Sequence, residues 1–304
     1  MSIPIIPFEA EQHLDWRALT QALIQGHSLP KAEIADSFLY RTPDTLLNRA
    51  AWIDGLGLAV KSATIFPGNA QAGRPVVNGG VSLYSDRDGM LEAIVDFHLV
   101  TKWKTAGDSL CAALRLARPD SCRILIVGAG TVGRSLRQAY GAGFPGAAFT
   151  IWNRSRKGAE AMAADWPGMA IADDLAEAVA QADIITCATM STDPVIKGDW
   201  LRPGQHLDLI GAYRPDMREA DDTALRRARI FVDSFDTTIG HIGEIKDPLE
   251  RGVIARDAIL ADYYDLDSFA RQGDDEITLF KNGGGAHLDL MTSRYILDAW
   301  RGAQ

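Results

Sequence analysis

Residues 123–153 read RILIVGAGTVGRSLRQAYGAGFPGAAFTIWN, and this stretch decides the fold. The short apolar run Arg123–Val127 predicts a strand, and Thr131–Tyr140 predicts a helix directly after a glycine-rich turn. A second apolar run, Ala148–Trp152, predicts the next strand. Strand, glycine turn, helix and strand in this order form a βαβ unit, in which the two strands run parallel.

The turn has the pattern G-x-G-x-x-G, formed by Gly128, Gly130 and Gly133. The first glycine permits a tight turn, the second lets the main chain approach a pyrophosphate, and the third lets the helix pack on the strand. Thr131 and Val132 open the helix, whose N-terminus offers N–H groups and a partial positive charge. We therefore predict a dinucleotide site here rather than a purely structural turn.

The second strand ends at Asn153, 20 residues after Gly133. A site that prefers NAD usually has Asp or Glu at this point, which accepts hydrogen bonds from the ribose hydroxyls. Residues 153–157 read NRSRK instead, and Arg can bind a 2′-phosphate through two hydrogen bonds. We expect Asn153, Arg154 and Arg156 to contact the cofactor and NADP(H) to be preferred, with NAD(H) as the alternative. A solvated run of charges is the structural alternative.

Strands and helices continue to alternate towards the C-terminus of the chain. Predicted strands are Asp183–Ala188, His206–Ile210, Ile230–Asp233 and Glu276–Phe280, and predicted helices are Arg156–Ala164, Asp174–Gln181 and a last one from about His287. This alternation favours an α/β fold with a doubly wound parallel sheet, as in a Rossmann domain.

The N-terminal part of the chain has a different pattern. Trp16–Gln25 predicts an amphipathic helix, and Thr101–Leu116 predicts another helix that is rich in Ala and Leu. Between them, short apolar runs separated by Pro, Gly and Asp predict an antiparallel sheet. These runs are Ser37–Tyr40, Thr45–Leu47, Leu58–Phe66, Val76–Tyr84 and Met90–Phe97.

Length and charge narrow the classes of function. The chain has 304 residues, which favours two domains, and 31 Lys and Arg against 40 Asp and Glu give a net charge of −9. An acidic surface repels phosphate backbones and anionic lipid, so we expect neither a nucleic-acid nor a membrane partner. Three unpatterned cysteines and no signal sequence at Met1–Phe8 predict a cytoplasmic protein. Six histidines without ligand spacing predict no metal site.

Several motifs are similar to those of one known family. In chain order they are Lys61 with Pro67 and Asn69, Lys104-Thr105-Ala106, Ile151-Trp152-Asn153-Arg154, residues 198–204 (GDWLRPG), residues 211–222 (GAYRPDMREADD) and residues 277–283 (ITLFKNG). Together they resemble the ornithine cyclodeaminase/mu-crystallin family from about residue 40 onward. The resemblance implies that both chain ends build a substrate and dimerisation domain around a central Rossmann domain, and that the protein forms a homodimer.

The expected domain boundaries follow from this resemblance. Residues 1–118 would form the first part of the discontinuous α+β substrate and dimerisation domain, and residues 119–281 the Rossmann NAD(P)-binding domain. Residues 282–304 would return to the substrate domain.

The shared chemistry of the family is hydride transfer between a nicotinamide and the α-carbon of an amino or imino acid. The resemblance makes Lys61 the central catalytic lysine, which binds the substrate carboxylate. It makes Asp221 an acidic residue that contacts the substrate nitrogen and relays a proton. Asp222 beside it would cap a helix, since Asp is a favoured N-cap residue.

Further contacts are implied for the substrate and the cofactor. Lys104 and Arg41 would bind the carboxylate, Asn69 would line the substrate site, and Arg49 is the rival of Arg41 because the chain is shorter there. Cofactor contacts are implied for Thr105, for Ala188, Thr189, Met190 and Ser191 after a predicted strand, and for Gly211 and Lys281.

Two departures from the family pattern refine the expected function. Lys104 replaces the usual Arg, and Lys is a point charge rather than a bidentate fork. The position where ornithine cyclodeaminases hold the distal amine of their substrate falls near Leu47, and no carboxylate occupies it. We therefore predict NAD(P)H-dependent reduction of a small cyclic α-imino acid, Δ1-pyrroline-2-carboxylate to L-proline, with Δ1-piperideine-2-carboxylate in the same class.

Three alternatives stay open from the sequence. They are an ornithine cyclodeaminase, an alanine-type amino-acid dehydrogenase and a mu-crystallin-like NADPH-binding protein. Ring size, pathway and the oligomeric state beyond an expected dimer are also left open.

Overall fold

The computed structural model describes residues 3–304, so Met1 and Ser2, where the predicted first segment begins, lie outside the described residues. The strands are β1 Ile5–Ile6, β2 Glu33–Arg41, β3 Asp44–Ile53, β4 Gly57–Ile65, β5 Val77–Tyr84, β6 Leu91–Asp96, β7 Arg123–Val127, β8 Ala148–Trp152, β9 Ala170–Ile171, β10 Ile184–Cys187, β11 His206–Leu209, β12 Arg229–Val232, β13 Ile259–Ala261 and β14 Thr278–Lys281. The helices are α1 Trp16–His27, α2 Phe97–Leu116, α3 Thr131–Gly143, α4 Arg156–Ala163, α5 Leu175–Gln181, α6 Asp222–Arg227, α7 Phe235–Thr238, α8 Gly243–Glu250 and α9 Ala286–Gly302. None of the helices in residues 3–304 combines the length and the apolar composition that crossing a membrane requires.

The chain forms two compact units. The first contains the described residues up to Lys104 together with Gly285–Gln304, and the second contains Thr105–Gly284. The predicted boundaries at 118/119 and 281/282 differ from these, because α2 runs without a break past residue 104 and the Pro119 signal marks only the end of that helix. The assignment of the domains by function stays a prediction.

The first unit is built on a six-stranded sheet in the order β1-β6-β5-β4-β3-β2. β1 pairs parallel with β6, and every other neighbour pair is antiparallel. Side chains alternate between the two faces of a strand, and along β4 the residues on one face, such as Ala59 and Lys61, are buried. Helix α9 packs on β3 and β4 from this buried side.

The second unit is an eight-stranded, fully parallel sheet in the order β13-β12-β14-β11-β10-β7-β8-β9. The chain starts in the middle at β7, moves outward to β9, and then returns to β10 on the other side of β7. The predicted mixed α/β class with a doubly wound Rossmann sheet is confirmed. In such sheets ligands bind at the carboxyl ends of the strands where the direction of winding reverses, which here is between β7 and β10.

Candidate active site

Lys61 lies in β4 of the first unit, on the buried face of the sheet. Its ammonium Nζ donates to Asp289 Oδ1 at 2.9 Å and to Thr101 Oγ1 at 2.9 Å. The same nitrogen lies 4.8 Å from the centre of the Phe97 ring. Lys61 is only 6% exposed, and lysine is rarely buried to this extent unless it has partners.

Two further cations complete a cluster with Lys61. Lys104 Nζ lies 4.0 Å from Asp289 Oδ1, and Arg49 stands directly opposite Lys61 in the β3–β4 register. Arg49 also pairs with Asp36 at 3.0 Å, so three cations face two carboxylates. Burial, together with the positive charges of Lys104 and Arg49, lowers the pKa of Lys61 to about 8 against the opposing effect of Asp289. The surplus positive charge suits a small anion such as a carboxylate.

The structure places Arg49, and not Arg41, beside Lys61, and a carboxylate contact of Arg41 stays a prediction. Arg41 ends β2 with a side chain that is 79% exposed, and it pairs with Asp44 across the β2–β3 turn at 2.7 Å. Its guanidinium lies over the Phe66 ring at 5.6 Å. The hairpin register decides the matter, because it pairs Arg49 with Lys61 and leaves Arg41 at the far end of the hairpin.

Asn69 has a local contact in the loop after β4. It lies in the short 3-10 helix Pro67–Ala72, and its Nδ2 donates to the carbonyl of Pro75 at 3.0 Å. This hydrogen bond closes the loop. The expected contact of Asn69 with substrate stays a prediction.

Sequence reasoning missed Asp289, the anion of the cluster. It lies 228 residues from Lys61 along the chain, on helix α9. A signal was present, because Asp289 stands between Leu288 and Leu290 in the middle of a mostly buried run. An acid at such a position indicates a paired charge, but only the fold identifies the partner.

In the second unit, the glycine turn after β7 is tightly packed at two of its three glycines. Gly128 has φ of 111°, and a Cβ there would lie 2.7 Å from the carbonyl oxygen of Ala188. A Cβ on Gly133 would lie 2.0 Å from the carbonyl oxygen of Gly128. At Gly130, by contrast, a Cβ would meet no protein atom within 4 Å. Protein packing does not require glycine at this second position, whereas a pyrophosphate that approaches the main chain does.

Helix α3 starts directly after this turn, with Gly130 as its N-cap. Gly130 has no side chain to cap the helix, so the N–H groups of the first turn, at Thr131 and Val132, receive no side-chain acceptor from the N-cap. Free N–H groups at a helix N-terminus bind phosphate well. The turn therefore fits a dinucleotide cofactor.

Asn153 connects the end of β8 to the glycine turn. Its Oδ1 accepts from the N–H of Ala129 at 3.1 Å, and its Nδ2 donates to the carbonyl of Ser155 at 2.9 Å. Both hydrogen-bonding groups of the amide are thus used by the main chain, and the side chain positions the turn.

The basic residues after Asn153 are all exposed, but they differ in their partners. Arg156 forms ion pairs with Glu160 at 3.0 Å and with Asp173. Arg154 and Lys157 are exposed next to it. Arg154 is the cation of this group that immediately follows the strand and Asn153, where the adenosine ribose of a dinucleotide binds in such folds.

The loops that follow β10 and β11 are joined by one buried carboxylate. Glu219 Oε1 accepts from the main-chain N–H of Thr189 at 2.7 Å and from its hydroxyl at 2.9 Å. Glu219 Oε2 accepts from the N–H of Gly211 at 2.6 Å. A Cβ on Gly211 would lie 1.7 Å from the carbonyl oxygen of Thr189, so the two loops touch through glycine. Glu219 and Gly211 hold these loops at the carboxyl edge of the sheet.

The other residues expected at the cofactor have varied surroundings. Met190 is 78% exposed, and Ser191 Oγ donates to the carbonyl of Asp193 at 2.6 Å. The carbonyl of Thr105 accepts from Asn282 Nδ2 at 3.0 Å. Their contacts with the cofactor stay predictions.

Lys281, at the end of β14, has no exposed surface. It is fully buried, and its Nζ donates to the carbonyl oxygens of Leu209 at 2.9 Å and Asn282 at 2.8 Å. Burial raises the pKa of Glu219, and it raises the pKa of Glu244 to about 7. The positive charge of Lys281 opposes both increases. The expected cofactor contact of Lys281 stays a prediction.

The structure makes Asp221, and not Asp222, the N-cap of helix α6. Asp221 is the N-cap of α6, and its Oδ1 accepts from the N–H of Ala224 at 2.9 Å and of Gly198 at 2.8 Å. Asp222 is the first helical residue and pairs with Arg251 at 2.6 Å. The expectation that Asp222 caps the helix is wrong. The expected contact of Asp221 with the substrate stays a prediction.

The first unit holds a surplus of buried positive charge. The second unit holds a phosphate-binding turn, with ordered loops at the adjacent strand ends. Within residues 3–304, no three or more His, Cys, Asp and Glu side chains are grouped to bind a metal ion.

The sequence of the chain is similar to those of known proteins. The family model described as the ornithine cyclodeaminase/mu-crystallin family matches residues 53–304. The chain is 50% identical over 296 residues to a Delta(1)-pyrroline-2-carboxylate reductase of Paracoccus denitrificans, which covers 95% of this chain and 94% of the relative.

Two solved structures share the fold over almost the whole chain. One is Thermococcus litoralis Delta(1)-pyrroline-2-carboxylate reductase in complex with NADH and L-proline, with a TM-score of 0.89, 24% identity and coverage of 99% of this chain and 98% of that one. The other is an archaeal alanine dehydrogenase dimer with bound NAD, with a TM-score of 0.90, 25% identity and coverage of 100% and 97%. On the evidence of the family model and the Paracoccus relative, the chain belongs to the ornithine cyclodeaminase/mu-crystallin family.

Proposed function

We propose that the chain is an NAD(P)H-dependent reductase of small cyclic α-imino acids, with Δ1-pyrroline-2-carboxylate as substrate and L-proline as product. Δ1-Piperideine-2-carboxylate, whose ring has one more carbon, belongs to the same substrate class. The observation that carries the proposal is the buried cluster of Lys61, Lys104 and Arg49, a site for the carboxylate that every such substrate has. The 50% identity to the Paracoccus reductase supports the choice of substrate.

The proposed reaction reduces one C=N bond. When bound, the reduced nicotinamide supplies a hydride to the imine carbon. Lys61 and Lys104 hold the substrate carboxylate and so fix the neighbouring imine carbon and nitrogen in place. The nitrogen takes up one proton, which completes the amine.

We assign this proton to Lys61 rather than to Asp221. Burial lowers the pKa of Lys61 to about 8, so its ammonium gives up a proton more readily than that of an ordinary lysine. Asp221 is held by two main-chain N–H groups as a helix cap. Lys61 recovers its proton from solvent after each turnover.

We also propose that NADP(H) is preferred over NAD(H). Asn153 carries no negative charge and is bonded to the glycine turn, so no carboxylate at this position would repel a 2′-phosphate. Arg154 is exposed beside it, and Arg binds phosphate with two hydrogen bonds. Arg156 would first have to leave Glu160 and Asp173.

A homodimer is the assembly that we propose. The face of the first sheet opposite α9, the outer face, is defined by Leu39, Trp52, Leu58, Val60 and Tyr84. Leu39 is 65% exposed and Trp52 is 49% exposed, and a groove of about 500 Å³ runs along this face. Large exposed apolar patches of this kind usually mark an interface. The similar alanine dehydrogenase structure is a dimer.

The cytoplasm is the compartment that we propose for the protein. Cys111, Cys122 and Cys187 are all free thiols in the structure, and a reducing compartment keeps thiols in this state. A small-molecule imino acid is the proposed partner, and we propose no nucleic-acid or membrane partner.

A substrate panel with both cofactors tests the proposed function. Oxidation of NADPH with Δ1-pyrroline-2-carboxylate, and with no added ammonia, is the expected result. Turnover of a keto acid only with ammonia would instead indicate an alanine-type dehydrogenase. Release of ammonia from ornithine without net NADH formation would indicate a cyclodeaminase. NADPH binding without any turnover would indicate a mu-crystallin-like binding protein, and a higher kcat/KM with NADH would overturn the proposed cofactor preference.

A further inference from the structure

Helix α9 brings a single carboxylate to the cations of the first unit. Asp289 is 1% exposed, and its Oδ1 lies 2.9 Å from Lys61 Nζ and 4.0 Å from Lys104 Nζ. Its Oδ2 is buried without a hydrogen-bond partner among the described residues. One carboxylate thus serves two ammonium groups, each of which is only 6% exposed as a residue.

The charged and polar groups around Lys61 come from three elements. They are Arg49 on β3, Thr101, Lys104 and the Phe97 ring on α2, and Asp289 on α9. Removing an ammonium from water costs several kcal/mol, and like charges nearby add to that cost. Asp289 is the anion of this set, so it is the group that offsets the cost of keeping the lysines charged.

We propose that Asp289 is a positioning residue of the imino-acid site, which holds Lys61 and Lys104 side by side as ammonium groups so that both bind the substrate carboxylate. This inference rests on the proposed function. Asp289 acts through the lysines, because its Oδ1 is bonded to Lys61 and the residue is buried. One carboxylate against two ammonium groups leaves a net positive charge, which the substrate carboxylate neutralises.

The variant Asp289→Asn tests this role, because it keeps the shape of the side chain and removes its charge. Burial already lowers the pKa of Lys61 to about 8, and loss of the anion lowers it further. We expect KM for the imino acid to rise about fivefold or more at pH 8 and much less at pH 6.5, as for a pKa that falls by one unit or more. KM for NADPH should stay within about twofold of wild type.

Glu92→Gln is the matched control, because Glu92 of β6 forms an ion pair with the same helix, α9. Glu92 pairs with Arg294 of α9 at 2.5 Å, so this variant also breaks an ion pair that anchors α9. We expect Glu92→Gln to lower thermal stability without moving the alkaline limb of the kcat/KM profile. If Asp289→Asn behaves in the same way, Asp289 is only structural and the proposal is overturned.

A second variant and a second measurement keep the test decisive. Asp289→Glu retains the charge, so the alkaline limb of the kcat/KM profile should stay at its wild-type pH while KM rises; a shifted limb in this variant contradicts the proposal.

Competitive acetylation, followed by mass spectrometry of the Lys61 peptide, measures the protonation of Lys61 without turnover. Faster labelling at pH 7 in Asp289→Asn supports the role of Asp289, and unchanged labelling overturns it. Because labelling needs no substrate, it still decides this point if wild-type protein reduces no imino acid and the proposed function fails.

Discussion

Lys61 is a buried ammonium group that lowers the stability of the folded protein. Its folded pKa of about 8 lies below the ordinary 10.5, mainly because burial disfavours the charged form. Between these two pH values the folded state binds fewer protons than the unfolded chain. Lys61 therefore reduces stability at neutral pH, and this penalty is relieved as pH rises from about 8 to 10.5. A buried charge that costs stability indicates a role in binding or catalysis.

We expect binding of a carboxylate ligand to weaken as pH rises above about 8, because Lys61 then loses its charge. Pyrrole-2-carboxylate is a suitable probe, since its ring nitrogen does not titrate in this range. Its inhibition constant, measured from pH 6 to 10 with saturating NADPH, should rise about tenfold per pH unit on the alkaline side. The KM for NADPH is the internal control, and a flat inhibition constant would contradict the role of Lys61.

At Asp221 the structure predicts a difference between two substitutions. Asn is also a favoured N-cap, so Asp221→Asn should retain the cap and keep kcat within about threefold of wild type. Asp221→Ala should lose about 1 kcal/mol of unfolding free energy in urea, because Ala accepts no hydrogen bond from Gly198 or Ala224. A loss of a hundredfold or more in kcat for the Asn variant would restore Asp221 as a catalytic acid.

The loops after β10 and β11 are held by hydrogen bonds to one shared side chain, that of Glu219. Glu219 accepts hydrogen bonds from Thr189 in one loop and from Gly211 in the other. Its carboxylate is buried, so no water replaces either bond if it is lost. Order in both loops is thus coupled through one residue, which lies next to the strand ends where the nicotinamide is expected.

Glu219→Gln should disturb both loops, because its NH₂ group would face a main-chain N–H that needs an acceptor. We expect the free energy of unfolding to fall by about 1–3 kcal/mol and the Kd for NADPH to rise about tenfold. Quenching of tryptophan fluorescence and urea unfolding measure the two effects. Glu177→Gln makes the same change on exposed helix α5 and should leave both unchanged. Wild-type affinity in Glu219→Gln would show that these loops do not order the cofactor.

Prediction from sequence succeeded for elements whose signal is local. The strand, glycine turn and helix around Gly128–Gly133 stand in one short stretch, so the fold class could be predicted from it. The choice between Arg41 and Arg49 depended on the register of a long hairpin, and a shift of one residue turns a side chain to the other face. Asp221 and Asp222 were confused for a similar reason, since one residue decides which of them is the cap.

For the whole molecule, the sequence indicated two units, and their interleaving came from the family resemblance. Lys61 and Asp289 are 228 residues apart and yet form one ion pair. No local pattern in the chain carries such a pairing, because it depends on the return of α9 to the first sheet. The buried cluster could therefore be predicted only in part, through Lys61 and Lys104.

The outer face of the first sheet leads to a prediction about assembly. Trp52→Lys places a charge on this face, and we expect the mass in light scattering to fall from that of two chains to that of one. Leu260→Lys is the control, because Leu260 is a 38% exposed apolar residue in the second unit. A Trp52→Lys protein that keeps the mass of two chains would place the dimer interface elsewhere.

The first unit is built from both ends of the chain, and this affects how it folds during synthesis on the ribosome. Residues 105–284 form a unit from one continuous stretch, whereas the first sheet receives its covering helix only when residues 285–304 have been made. A nascent chain that already carries the whole second unit still has Lys61 without its counter-ion and an uncovered apolar sheet, a species prone to aggregate. A chain released before residue 285 therefore lacks both the helix that covers the first sheet and Asp289, the partner of Lys61.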